Sequence, residues 1–149
     1  MAKYKFRLQT LLKIRESFRD EKRTELAKAY EAEAILKQQI EEIENEQQVL
    51  KQQTRQAAEP GKINVDTLLG THRYELLLGA QRKVIEQRDE QIQTEIERRR
   101  RLLVDADQQV RILEKLREKQ ELRHEKEQQR LEIKQMDEVA GQRSISKDR

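Results

Sequence analysis

The chain has 149 residues, 34% of them apolar and 41% charged, a balance that excludes a globule with a thick core and leaves disorder or long helices burying one narrow stripe. Basic and acidic residues number 32 and 29, for a formal charge of +3, so the mixture describes a solvated helix surface and leaves a basic nucleic-acid binder as a third, weaker reading. With no cysteine, a disulfide framework and thiolate metal sites are excluded, which fits a reducing cytosol.

The opening MAKYKFRLQTLL has no uninterrupted apolar h-region, and no run approaches the roughly 18 apolar residues a bilayer requires. The expected protein is neither secreted nor integral to a membrane. Glu, Gln, Lys, Arg, Leu and Ala dominate the chain, and these residues lose little side-chain freedom in a helix. Leu8, Leu11, Leu12, Ile14 and Phe18 open a dense apolar face. From Leu26 a ladder of alternating three- and four-residue steps follows through Ala29, Glu33, Leu36, Ile40, Ile43, Gln47 and Leu50, which is a heptad seam with polar interruptions. These patterns predict a first helix over about residues 4–58.

The segment EPGKINVD, residues 59–66, supplies the break. Pro60 disfavours helical geometry in Glu59, and Gly61 frees the chain to turn. Asn64 or Asp66 is placed to cap a second helix, so the turn is expected over about 59–65. Helix two is predicted over about 66–141, on a ladder running from Leu78 through Arg82, Ile85, Asp89, Ile92, Ile96, Arg99, Leu103, Ala106, Val110, Leu113, Arg117, Gln120, His124 and Glu127 to Leu131. Gly70 and Gly79 each cost about 1 kcal/mol relative to Ala, so fraying or a bend is expected in its first turns. Gly141 is a C-terminal stop in this reading, and 142–149 a disordered basic tail.

So short a connection favours antiparallel packing. With the reversal centred near Asn64, facing residues should have numbers adding to about 128. Ile43 then opposes Ile85, Leu36 opposes Ile92, Leu26 opposes Leu103, Phe18 opposes Val110, and Leu11 meets the Leu113 and Leu116 region. The expected fold is all-α, one long antiparallel two-helix coiled-coil hairpin, monomeric when isolated. Helix two is the longer, and beyond His124 it has no partner within the chain, which makes that end a candidate docking element. A rival reading turns Pro60 into a kink in a long parallel homodimer, a generic scaffold or spacer.

Little in the sequence points to chemistry. His72 and His124 lie far apart, and no HExxH pattern exists. Carboxylates on a wet helix face have no pocket to tune their acidity. Around Gly61 and Lys62 the phosphate-loop pattern fails, since Gln56 stands where its first glycine belongs and Ile63 where Ser or Thr belongs. No enzyme, cofactor or metal is expected. The run Arg98, Arg99, Arg100, Arg101 reads as a solvated face with Glu95, Glu97 and Asp105 nearby, in preference to a docking site for acidic protein, phosphate or lipid headgroups. The aromatic residues Tyr4, Phe6, Phe18, Tyr30 and Tyr74 do not cluster beside it as single-stranded nucleic acid would want. Leu76, Leu77 and Leu78 cannot all enter one seam, so this end holds either a partner surface or a local second seam.

Two segments are more distinctive. RLLVDADQQVRILEKLRE from Arg101 to Glu118 and KQMDEVAGQR from Lys134 to Arg143, with FRLQTLLKIRE from Phe6 to Glu16, resemble the two ends of the FliJ family. Ala106, Leu113, Glu114, Lys115 and Leu116, and the run Met136, Asp137, Glu138, are the most telling residues. The resemblance implies a stalk and chaperone-escort component of the bacterial flagellar type III export apparatus, folded as an antiparallel coiled coil similar to the γ-subunit stalk of the F-type ATPase. It also implies partners: the ring of the export ATPase FliI, the export gate protein FlhA and flagellar export chaperones, reached from the cytoplasm at the inner face of the membrane. Carried over by position, the gate contact falls on Leu36, Ile40, Ile43, Gln47, Leu77, Gln81, Val84 and Arg88. The ring-engaging tip falls on Phe6, Leu8, Leu11, Leu116, Arg117, His124, Leu131, Met136 and Asp137.

Overall fold

The computed structural model describes residues 3–147. Two long helices, α1 (Gln9–Ala57) and α2 (Val65–Lys147), pack against each other, with no strand among the described residues. The chain therefore forms a helical hairpin.

The reversal is built as its residues dictate. After α1, the amide of Lys62 donates to the carbonyl of Glu59 at 3.2 Å, and Gly61 has a φ of 96°. Pro60 and Gly61 thus occupy the central positions of a type II turn, where proline presets the first dihedral and only the second demands a positive φ. The Asn64 amide then donates to the Ala57 carbonyl at 3.1 Å, satisfying a helix-end acceptor. Of the two expected caps, Asn64 is used: its Oδ1 accepts from the Thr67 amide at 3.2 Å. A kink at Pro60 is overturned by this geometry, because the chain doubles back within it.

The described residues pack as two compact units, one of residues 22–103 and one of residues 3–21 with 104–147. In the first, Ala29, Leu36, Ile43, Leu50 and Ala57 are buried at heptad spacing along α1, and Leu78 and Ile96 along α2. Ile43, Leu50 and Leu78 form one apolar cluster with Ile85 against it. Every polar seam position is at least half withdrawn from solvent, and most of them find partners across the pair. Arg82 donates to Glu44 at 3.1 Å and Gln47 at 3.3 Å, Gln93 to Glu33 at 2.8 Å, and Arg99 to the Glu25 carbonyl. Such directional contacts fix register where apolar contact alone would tolerate a slip.

In the second unit Phe6, Leu12, Val110 and Leu113 form the core, with Tyr4, Leu8 and Leu116 packed against it. Three expectations are corrected here. Residues 3–8 are not helical. Tyr4, Phe6 and Leu8 turn inward while Lys3, Lys5 and Arg7 are exposed, the period-two alternation of an extended segment laid on a helix. Phe18, expected against Val110, is 44% exposed, and Leu11 and Ile14 also face outward. Leu12 takes the position facing Val110 and Leu113. In this unit the pairs Tyr4 with Gln120 and Arg19 with Asp107 add to 124 and 126, less than the expected 128, whereas Ile43, Ile85, Leu50 and Leu78 of the other unit cluster at the expected register. With that local register Leu12 lies inside and Phe18 outside.

The third correction concerns breakers. Helix α2 runs through Gly70, Gly79 and Gly141 to Lys147, past the expected stop. Gly61 is the only described residue with positive φ, so Gly141 is not in the left-handed conformation that closes a helix. A lone glycine lowers helix stability by about 1 kcal/mol and does not by itself end a helix whose neighbours are good formers.

Candidate functional site

Among the described residues the grooves lie open on helix surfaces. Among the described residues no group of three or more His, Cys, Asp or Glu could hold a metal, and no helix is long and apolar enough to cross a membrane. What the structure offers is helix surface, and the question is which surface is left uncovered.

In the unit of residues 22–103 the expected gate-contact set divides by face. Leu36 and Ile43 are buried in the seam, and Ile40 and Gln47 are half-buried beside them. They hold the helix pair together and are not open to a partner. Leu77, Gln81, Val84 and Arg88 are all exposed and follow one another in steps of four, three and four, so they share one outer face of α2. Gln81, Val84 and Arg88 line a shallow groove with Gln39, Ala80 and Ile85. The leucine triplet resolves the same way. Leu78 is 1% exposed in the core while Leu76 and Leu77 are 63% and 52% exposed, so no second local seam buries them.

A second groove near the turn was not anticipated. Val49, Leu50 and Gln53 of α1 face Thr67, Gly70 and Thr71 of α2. A Cβ on Gly70 would meet nothing within 4 Å, so small side chains there leave the cleft open. Tyr74 closes one side, its hydroxyl donating to Glu46 at 2.9 Å, and that carboxylate raises the phenol's pKa.

The arginine run is partnered at every position. Arg98 and Arg99 reach Glu95 at 2.6 and 2.8 Å, holding its carboxyl down at about 2. Arg100 donates to the Tyr30 hydroxyl at 2.7 Å, and Arg101 pairs with Glu97 at 3.3 Å. The geometry agrees with the preferred reading of this run, a solvated face partly offset by Glu95 and Glu97.

In the unit containing both termini the expected tip residues also divide. Phe6 is 8% exposed, and Leu8 and Leu116 pack on its cluster, so these three belong to the core. Arg117 is half-buried and Leu11 is exposed. The Tyr4 hydroxyl donates to Gln120 Oε1 at 2.9 Å, and its ring centroid lies 5.5 Å from that of His124. His124 is therefore where the covered part of α2 ends. From Glu125 to Lys147 every residue is exposed apart from half-buried Gln128. Leu131, Met136 and Asp137 stand on this bare helix, with Met136 71% exposed. The Tyr4 clasp escaped the helical reading, although the alternation Lys3, Tyr4, Lys5, Phe6, Arg7, Leu8 signals it.

No curated protein and no solved structure matches the chain significantly. A family model does: that of FliJ, described as the flagellar FliJ protein, matches residues 4–149. A match over essentially the whole chain, on a two-helix hairpin with an uncovered helix end, establishes that the chain belongs to the FliJ family.

Proposed function

We propose that this protein is a non-enzymatic, cytoplasmic stalk of the flagellar type III export apparatus. It engages the ring of the export ATPase FliI, links that ring to the export gate FlhA and escorts export chaperones, meeting the membrane only through these partners. Family membership supports its place in flagellar export. The observation that carries the stalk reading is the bare end of α2. The heptad ladder is covered down to His124 and then continues as exposed helix to Lys147. A helix held by its partner on one side and free beyond is suited to entering a ring.

In this reading the tip comprises Leu131, Met136 and Asp137 with the exposed flank of Arg117 and Leu11. Phe6, Leu8 and Leu116 support it from within. The gate contact is the outer face of Leu77, Gln81, Val84 and Arg88. The test is stimulation of the purified ATPase ring. Removing residues 125–149 is expected to abolish stimulation while leaving the covered helix pair folded; undiminished stimulation refutes tip insertion. Pull-down from native cytosol should recover export proteins, and Leu77→Asp with Val84→Asp should lose the gate protein alone.

A further inference from the structure

The bare end of α2 carries opposite charges at the two ends of one apolar stripe. Glu132, Gln135, Met136, Val139, Ala140 and Arg143 line a shallow groove there. Glu132, Met136, Val139 and Arg143 follow in steps of four, three and four, the spacing of a coiled-coil seam. Met136 and Val139 are both more than half exposed. Neither Glu132 nor Arg143 has a side-chain hydrogen bond or ion pair among the described residues, whereas Arg82, Arg98, Arg99 and Arg101 nearer the turn are paired.

The order of these four residues is self-complementary. Against the same segment of a second copy running the opposite way, Glu132 faces Arg143, Met136 faces Val139, Val139 faces Met136 and Arg143 faces Glu132. Two apolar layers lie at the centre and a carboxylate meets a guanidinium at each end. Parallel copies in register would set Glu132 on Glu132 and Arg143 on Arg143, which like-charge repulsion disfavours. We infer that this end of α2 is an isologous self-association surface, occupied by the same segment of a second copy of the chain in antiparallel orientation.

Three helical turns bury far less than a standard stable interface. The dimer therefore forms at high protein concentration and dissociates on dilution. Because it covers Met136, it excludes any other partner from the same stripe, so self-association regulates how much free end is available. This holds whatever that other partner is.

Sedimentation equilibrium of the full chain over a wide concentration range tests the proposal. The expected result is a reversible monomer–dimer equilibrium, weakened about tenfold by Glu132→Arg or by Arg143→Glu, because symmetry counts each lost pair twice. Mixing the two single variants should restore dimers, since one copy then carries both bases and the other both acids. The double variant in one chain should dimerise like the parent, and the weakening by either single variant is what a parallel arrangement, with like charges already facing, does not predict. Met136→Glu should abolish association, with circular dichroism unchanged in every variant. A monomer at all concentrations overturns the proposal, as does association that survives Met136→Glu or ignores the charge exchanges. Neither outcome bears on ATPase stimulation, so the stalk reading stands or falls separately.

Discussion

At the residue scale, Gly61 and Glu95 show how differently single side chains act. Gly61 sits at a φ of 96°, a conformation in which a Cβ meets the following carbonyl. Gly61→Ala should cost about 1–2 kcal/mol in urea unfolding even though the added methyl meets nothing beyond its own chain neighbours. Glu95 acts through charge. Its hydrogen bonds from Arg98 and then Arg99 hold the carboxyl at about 2, below its ordinary 4.5. A carboxyl with a depressed folded pKa stabilises the fold above its unfolded pKa and ceases to do so as pH falls through the folded one. The melting temperature should therefore fall as pH drops from about 5 toward 2. Glu95→Gln should flatten part of that decline, and added salt should shrink the difference because the pair is exposed.

At the element scale, neighbours one residue apart on α2 have opposite tasks. Leu78 is fully enclosed with Ile43 and Leu50, so Leu78→Ala should destabilise the helix pair by about 2–4 kcal/mol through lost burial and a residual cavity. Leu77→Ala should change stability by less than about 0.5 kcal/mol and register only in partner binding. A denaturant series on the two variants separates packing from docking. The ladder of α2 was legible as far as His124: its positions from Leu78 to His124 are all withdrawn from solvent, whereas Glu127 and Leu131 are exposed. The start of α1 was misread because Leu8, Leu11, Leu12, Ile14 and Phe18 suit a wide helical stripe, whereas the helix pair offers only a narrow one. Three of those five, Leu11, Ile14 and Phe18, are left outside. Residues 3–8 went astray for a related reason. Their alternation matters only once α2 provides a surface for Tyr4, Phe6 and Leu8 to lie on.

At the scale of the whole molecule, pairing within one chain can be read by cross-linking, since the sequence has no cysteine to interfere. Ile43→Cys with Ile85→Cys, and Leu12→Cys with Val110→Cys, should each give an intramolecular link, detected as faster migration in non-reducing gels. Phe18→Cys with Val110→Cys should not. If Phe18 links and Leu12 does not, the register that sets Leu12 against Val110 is wrong.

The amino-acid order by itself determined that this chain is helical, that it reverses at Pro60 and Gly61, and that one seam outruns its partner. Each of these rests on local propensity, heptad spacing or turn chemistry, which neighbours in sequence settle among themselves. Only the tertiary structure decided which apolar residues of the first turns face in, that Asn64 caps α2, and that Leu77 and Met136 are open while Leu36 and Phe6 are not. Those outcomes depend on the rotational register of one helix against another. Register is a property of the pair, set by cross-helix contacts such as Arg82 with Glu44 and Arg19 with Asp107, and no single stretch of sequence contains it.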